Sequence, residues 1–453
     1  MSQSVADSRI HPWFGGPLDP PKATAEDIRT VQRHEIRDIG HPDSEYLPGA
    51  PFLLPRSSYA ELFRATDTMA GLLHRAALEA GPTTAERMAV FRATDQDYPL
   101  FLADPLIEER YASCLVRPDI VIGPTGPQFL ELNISGGFAG TVESHCGYAA
   151  WRALYGGGAG GELPFSHYEP FAARADLFDT VCAELALPRR LAWVGTVRES
   201  TVPTDRTRYF DLETDYLNSR GFEARYVEVA DADELWDCAP RDRYPLGLRH
   251  FNVADLATLG IGIEPVRRAL DAGCLLLSTQ TSGFLGNKMA LGLLSEGRPW
   301  MSAAEHAFVE RYLPWTRVLT DRRTHVGGTE VQLLRYAIDH QEDLVVKRGI
   351  GSNGRQVVIG RETEAGMWRE TVESAAAAGT SVVQRFVEAQ PALQPVLTDA
   401  LDAPEVVPVT PVVSPMLFGR RPAGMLIRFF ADDSAGIISV ASRSAMFNVV
   451  VTQ

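Results

Sequence analysis

Apolar residues recur at three- and four-residue spacing through "SSYAELFRATDTMAGLLHRAALEAG" (57–81), the repeat that lines one face of a helix, with Ser57 or Ser58 as the expected N-cap. Helical texture is expected over most of 57–110. Residues 1–56, rich in proline and charge, are expected to form a loosely structured arm. Between 112 and 134 the pattern shortens to two strands around a turn, and "YGGGAGGELP" (155–164) marks a flexible boundary. From 190 an apolar run ending in glycine ("RLAWVG") alternates with a short helix ("DLETDYLNSRGF") and further strands ("EARYVEV", "YPLGLRHFNV"). That alternation predicts a small parallel α/β sheet over 188–280. Residues 286–341 again read as helical. After 343 come "DLVVKR", "RQVVIG", "SVVQRFV", "EVVPVTPVV", "PAGMLIRFF" and "GIISVASR", an antiparallel-looking block, with the Ala run at 375–378 placed in a helix. The chain is therefore expected to mix α+β and α/β texture. Its expected segments are 1–110 (arm and helical region), 111–187 (hairpin and connecting segment), 188–280 (small α/β subdomain) and 281–453.

The hairpin carries the first chemistry. If "LVRPDIVI" and "QFLELNI" fold antiparallel about Thr125 in "GPTGP", opposed residue numbers sum to 250. Asp119 then faces Glu131, and Arg117 faces Asn133. A period of two puts all four side chains on one face. Facing carboxylates repel unless positive charge lies between them. Two carboxylates and an Asn oxygen are hard ligands of the kind Mg²⁺ uses together with phosphates, and Arg117 adds a fork for a phosphate oxygen. The competing reading is a solvated face with a surface Arg–Glu pair. Pro118 removes a ladder hydrogen bond and marks an edge strand, where charges are common.

A second candidate is "LVVKRGIGSNGRQVVIG" (344–360), with glycines at 349, 351 and 354. The β-type "RQVVIG" that follows excludes the dinucleotide fingerprint, which needs a helix there. The Lys-Ser/Thr ending of a Walker loop is missing. A kinase loop has its lysine after the glycines, and no HRD or DFG is present. What remains is a strand–loop–strand with Lys347 ahead of the glycines. Such a loop can close backbone N–H groups over phosphates; the alternative is a flexible glycine hairpin with a surface lysine. In "SGFLGNKMALGLLSE", Gly286 and Asn287 open a helix with Lys288 in its first turn. A cation there opposes the helix dipole, so an anionic partner would account for it, although a helix-surface lysine also serves solubility.

The net charge of −15 removes the electrostatic footprint of a nucleic-acid binder. Five cysteines, odd in number and without C-x-x-C, read as free thiols in a reducing compartment. Neither a signal peptide nor an apolar run long enough to span a bilayer is seen, so a cytoplasmic location away from membranes is expected.

Together these stretches resemble the ATP-grasp ligases, and in particular the circularly permuted branch represented by glutathionylspermidine synthetase. In that branch the metal-ligand segment precedes the nucleotide lysines. The resemblance spans about 115–390 and rests on four motifs in order: R-x-D with E-x-N, "LGNKMALGLL", "LVVKRGIGSNGRQV" and "SVVQRFVE". It implies an ATP-grasp fold with a small pre-ATP-grasp-like α/β subdomain. It implies metal ligation by Asp119, Glu131 and Asn133, with two Mg²⁺ ions. Arg117 would be the catalytic residue. ATP contacts would come from Lys288, Lys347, Gly349, Gly351, Ser352 and Gly354, and from Gln384 and Phe386 beside adenine. The implied activity joins a carboxylate donor to an amine acceptor through an acyl phosphate, releasing ADP and phosphate. A phosphotransferase and a non-catalytic nucleotide-binding protein are the alternatives. The chain departs from the branch in lacking an amidase-type domain with a Cys nucleophile; Cys146 in "SHCGY" reads as core or loop. No glutathione-binding pattern is recognised. Candidate substrate residues are Arg198 in "GTVRES", Arg249 and His250 in "GLRHFN", Ser282 in "TQTSGF" and Arg428 in "MLIRFF". The substrates themselves and the oligomeric state are not legible.

Overall fold

The computed structural model describes residues 11–39, 46–134, 136–156, 162–199, 206–351, 356–398, 400–430 and 445–453. Among them the strands form five sheets, some antiparallel and some parallel, in a mixed α+β architecture. The central sheet runs in the order Phe52–Leu54, Ala445–Thr452, Arg421–Phe430, Val412–Phe418, Leu115–Gly123, Gly126–Asn133. Its pairs are antiparallel except the one joining Phe52–Leu54 to Ala445–Thr452.

Alternation along these strands decides which residues reach which side. Val116, Ile120, Ile122, Val413, Leu417, Met425, Ile427 and Phe429 share one buried core with the long helix Arg56–Leu78. The intervening positions point the other way, where Leu115, Met416 and Phe418 pack with the helix Pro170–Leu185. Arg117, Asp119, Ser414 and Arg428 belong to this second face. The apolar face supplies the driving force for sheet packing, so the polar positions are carried by a sheet anchored from behind.

An antiparallel sheet, ordered Val357–Ile359, Leu344–Arg348, Ser381–Arg385, Thr316–Val318, lies nearby. Leu344, Val346 and Val383 pack against Trp368 and Val372 of the helix Ala365–Ala378. Lys347, Gln384 and Thr316 occupy its opposite face. The parallel sheet is ordered Glu223–Glu228, Arg190–Gly195, Leu246–His250, Leu275–Leu277. The loop after the hairpin seats on its carboxyl edge. A Cβ on Gly136 would lie 2.3 Å from the Arg249 carbonyl oxygen and 2.7 Å from that of Leu277.

Several expectations are corrected. The described part of 1–56 is not a loose arm. Ala25–Glu35 is a helix with a Thr24/Asp27 capping box. Tyr46–Pro48 pairs with residues 396–398, and Phe52–Leu54 with residues 450–452. The helix Arg56–Leu78 starts from Pro55 without a side-chain cap, with Ser57 and Ser58 inside it. Within 286–341, the stretch Thr316–Gln332 is strand and hairpin. Gly327 and Gly328, at φ +53° and +82°, form the turn between Arg323–Val326 and Thr329–Gln332, a backbone form that suits glycine. "EVVPVTPVV" is two strands, Glu405–Val409 and Val412–Phe418, in different sheets. "GIISVASR" and most of the glycines of 155–164 lie outside the described residues.

The strand bearing Pro118 is interior, not an edge. The register Val413↔Ile120 and Leu417↔Val116 places Pro118 opposite Pro415, so neither residue of that pair has an N–H to leave unpaired. Gly136→Ala should destabilise the chain by about 2 kcal/mol or more, because the added methyl group meets two backbone carbonyls rather than a movable side chain. Denaturant unfolding checks this, and an unchanged midpoint would contradict the close packing of the loop on the parallel sheet.

Candidate functional site

Arg117 pairs with Asn133 and Asp119 with Glu131 across the hairpin. Beyond Asp119 the register shifts by one, and Gly123 pairs with Gly126. The turn is therefore the two residues Pro124 and Thr125, and the extra residue is a bulge at Leu130. That bulge turns a carbonyl oxygen out of the ladder. The Leu130 oxygen accepts from Lys347 Nζ at 3.2 Å.

Asp119, buried, receives charge from two strands. Arg428 Nη2 stands 2.6 Å and Arg117 Nη2 3.7 Å from its Oδ1, and Ser414 Oγ donates to the same oxygen at 3.0 Å. Burial pushes the Asp119 carboxyl upward. The charges of Arg428 and Arg117 and the Ser414 hydrogen bond outweigh burial and hold it well below the usual carboxylate range. Arg117 is fixed further by donating Nη1 to the Ala139 carbonyl oxygen at 2.5 Å and by lying over the Phe138 ring, 5.6 Å from its centroid. Gly140, at φ +120°, donates its N–H to Glu143 Oε2 at 2.7 Å, steadying the loop that carries Ala139.

Glu131 is met by Lys288, whose Nζ lies 3.0 Å from Oε2. Lys288 is the first residue of the helix Lys288–Ser295, capped by the Asn287 side chain accepting from Met289 N–H. Its backbone N–H donates to the Gly349 oxygen at 2.9 Å, and its Nζ to the Gly351 oxygen at 3.3 Å. Gly349 has no room for a side chain: a Cβ would fall 2.5 Å from Asn287 Oδ1 and 2.9 Å from the Thr380 carbonyl oxygen. Lys347 Nζ donates to Gln384 Oε1 at 2.7 Å, and Gln384 Nε2 to Thr316 Oγ1 at 3.0 Å. Burial pulls the Lys347 ammonium down to about 8, with Glu131 opposing the shift and Lys288 adding to it.

One cluster thus contains Arg117, Asp119, Glu131, Lys288, Lys347, Gln384 and Arg428. Asn133 lies opposite Arg117 on the same hairpin face. Cations outnumber carboxylates in a largely buried place, which suits a polyanionic ligand. Ser414, Thr316, Glu143 and the carbonyls of Leu130 and Ala139 complete the cluster and were not anticipated. The "GGFAG" glycines after the hairpin were the visible signal for the last of these, whereas Ser414 and Thr316 carry no local mark. Ser352 and Gly354 lie outside the described residues.

The remaining candidates are engaged by other partners. Arg198 is exposed and donates to the Leu259 oxygen at 2.8 Å. Buried Arg249 bonds Gln280 Oε1 at 3.2 Å and Ser282 Oγ at 3.4 Å, so Arg249 and Ser282 are partners of each other. His250 ends a parallel strand between Tyr209 and Phe210, and burial pulls its imidazole down to about 4. Phe386 packs under Arg361, 4.0 Å from guanidinium to ring centroid. Cys146 is a buried free thiol within the helix Thr141–Gly156.

No protein-family model and no curated protein matches the chain. Among solved structures, it is similar to a glutathione synthetase-like effector from Globodera pallida, determined in its apo form. The match covers 94% of this chain and 95% of that one, with a TM-score of 0.56 and 10% identity. At that level the likeness shows a shared fold.

Arg428→Met should cost about 3–5 kcal/mol, because it leaves Asp119 charged and buried. Adding Asp119→Asn should recover part of that loss, a coupling that denaturant unfolding of the two singles and the double reads directly. Because the folded Asp119 carboxyl is depressed, the pair's stabilisation is complete above about pH 4 and disappears as pH falls through the lower folded value. That acid dependence should shrink in Arg428→Met. Strict additivity would show the two residues to be uncoupled.

Proposed function

We propose that the chain is an ATP-grasp enzyme, a ligase that joins a carboxylate to an amine at the cost of ATP. The observation that carries this reading is the approach of Lys288 and Lys347, from two separate elements, to the hairpin face bearing Asp119 and Glu131. An order of motifs that resembles the permuted ATP-grasp branch and a fold shared with a glutathione synthetase-like protein support it.

The donor set fits magnesium bound jointly with phosphate. Among the described residues no group of three or more His, Cys, Asp or Glu side chains is placed to hold a metal. Asp119, Glu131 and Asn133 would offer hard oxygens to an ion that completes its shell with phosphate and water. The Asn133 amide nitrogen is buried without a partner, a donor that suits a phosphate oxygen and not the metal, whose ligand would be the Asn133 Oδ1. When bound, Mg²⁺ supplies charge neutralisation on the phosphate oxygens.

The chain's own groups then have definable tasks. Lys288 and Lys347 would hold phosphate oxygens, and burial makes each contact stronger than it would be in water. Arg117, held by Ala139 and Phe138, would hold the γ-phosphoryl group and then the carbonyl oxygen as it gains negative charge. Arg428 and Ser414 keep Asp119 ionised and oriented. The backbone at Gly349 and Gly351 would help exclude water from the acyl phosphate. Attack by the amine displaces phosphate and leaves the amide. Phosphoryl transfer needs positioning and charge neutralisation more than covalent help, and these groups would supply both.

Purified protein with ATP, Mg²⁺ and pooled amino acids and amines should yield ADP, phosphate and a condensation product visible by mass spectrometry. A phosphorylated product without an amide would point to a phosphotransferase instead. Glu131→Ala should lower ADP formation by about a hundredfold or more while keeping the fold. Unchanged turnover in that variant would overturn the reading. Lys347→Met should raise the KM for ATP by roughly tenfold or more, as initial rates would record.

A further inference from the structure

Lys288 and Glu131 of this site are bonded to each other, which bears on the order in which its ligands can load. Lys288 Nζ is 3.0 Å from Glu131 Oε2 and 3.3 Å from the Gly351 carbonyl oxygen, and the side chain is buried. Glu131 therefore already has a cation. Lys347 is held to the Leu130 oxygen, one residue before Glu131.

A divalent ion approaching Glu131 without nucleotide must either displace Lys288 from Oε2 or bind Oε1 with the ammonium still beside it, and both place its charge against that ammonium. The released ammonium would remain buried beside Lys347. Among the described residues, Arg117, Arg428, Lys288 and Lys347 would then have Asp119 and Glu131 as their carboxylates, with Glu143 also acting on Arg117. Two further positive charges are strongly opposed at the low effective dielectric of such a place. A triphosphate reverses the balance. Its oxygens offer both ammonium groups a stronger partner, and Glu131 is released.

We infer that Lys288 is a placeholder cation on Glu131, drawn away by the nucleotide's phosphates, so that the carboxylate accepts a divalent metal only once nucleotide is bound. The inference rests on the ligase reading of the site. It makes Lys288 a positioning residue for the metal as well as a phosphate contact. Nucleotide and metal then bind with strong positive coupling, which by linkage must be reciprocal.

Free Mn²⁺, read by electron paramagnetic resonance in the presence of the full chain, tests this. With the Mn²⁺ held by the analogue itself measured without protein and subtracted, Mn²⁺ alone should bind the wild-type chain at least about tenfold more weakly than in the presence of a non-hydrolysable ATP analogue. Lys288→Met should tighten binding of Mn²⁺ alone by about tenfold, and Glu131→Gln added to it should remove the gain. Lys288→Gln serves as a second variant should the Met side chain disturb the fold. Equal Mn²⁺ affinity with and without the analogue, or no gain in either Lys288 variant, overturns the placeholder role. Calorimetric titration of the analogue, once in EDTA and once with Mn²⁺, separates the two ideas. Wild-type chain that binds no analogue, with metal or without it, overturns the ligase reading and this inference with it. Wild-type chain that binds the analogue while the Lys288 variants gain nothing overturns the placeholder role alone.

Discussion

Two carboxylates, Asp119 and Glu131, face each other across one antiparallel pair. Unopposed, they would repel and splay the hairpin. The structure answers with cations from separate parts of the chain. Arg117 comes from the same strand, Arg428 from a later strand of the same sheet, Lys288 from a helix N-terminus, and Lys347 from a strand of another sheet. Each is delivered by an element whose opposite face is buried apolar core, so the charged side can be assembled without supplying the folding energy itself. The result is a set of buried charges that are satisfied only together. Removing one partner should be far more damaging than any single distance suggests.

Much of this was visible in the chain, for reasons that can be named. The pairing Asp119–Glu131 follows from a period of two and a recognisable turn, and both are local. The bulge at Leu130 was not visible, because the pairing at 117–133 holds whether the fold is centred on Thr125 or on a two-residue turn with one surplus residue. Pro118 was misplaced to an edge because its compensation is Pro415, paired only through the fold. The strands near residues 46–54 are three residues long, too short to show alternation. The hairpin at 323–332 was covered by helical periodicity on either side, although its double glycine was the available signal. Arg428 stood out as the one charge in "MLIRFF"; its partner, on a strand joined to it only through a third, could not be read.

The substrate candidates show the limits of local reading most clearly. Arg249 reads as a ligand group because it sits near the carboxyl end of a parallel strand, and Ser282 because its stretch offers hydroxyls. In the structure Arg249 bonds both Ser282 and Gln280, which also accepts from the Leu100 N–H, and so ties separate loops together. The same edge receives the Gly136–Gly137 loop, whose glycines are needed because backbone from Arg249, Phe251 and Leu277 comes too close for a side chain. The hairpin and the parallel sheet are thereby held in a fixed relation, and residue identity at their junction answers to packing before it answers to chemistry.

The central claim is that the Asp119–Glu131 face is where metal and triphosphate meet. Crystals grown with Mn²⁺ and a non-hydrolysable ATP analogue would test it most directly through anomalous scattering at the manganese edge. The account predicts a peak within coordination distance of Asp119 or Glu131 and of the analogue's phosphate oxygens, with the Lys288 and Lys347 ammonium groups turned onto those phosphates. A peak elsewhere, or an analogue bound away from this face with Lys288 still on Glu131, would contradict it.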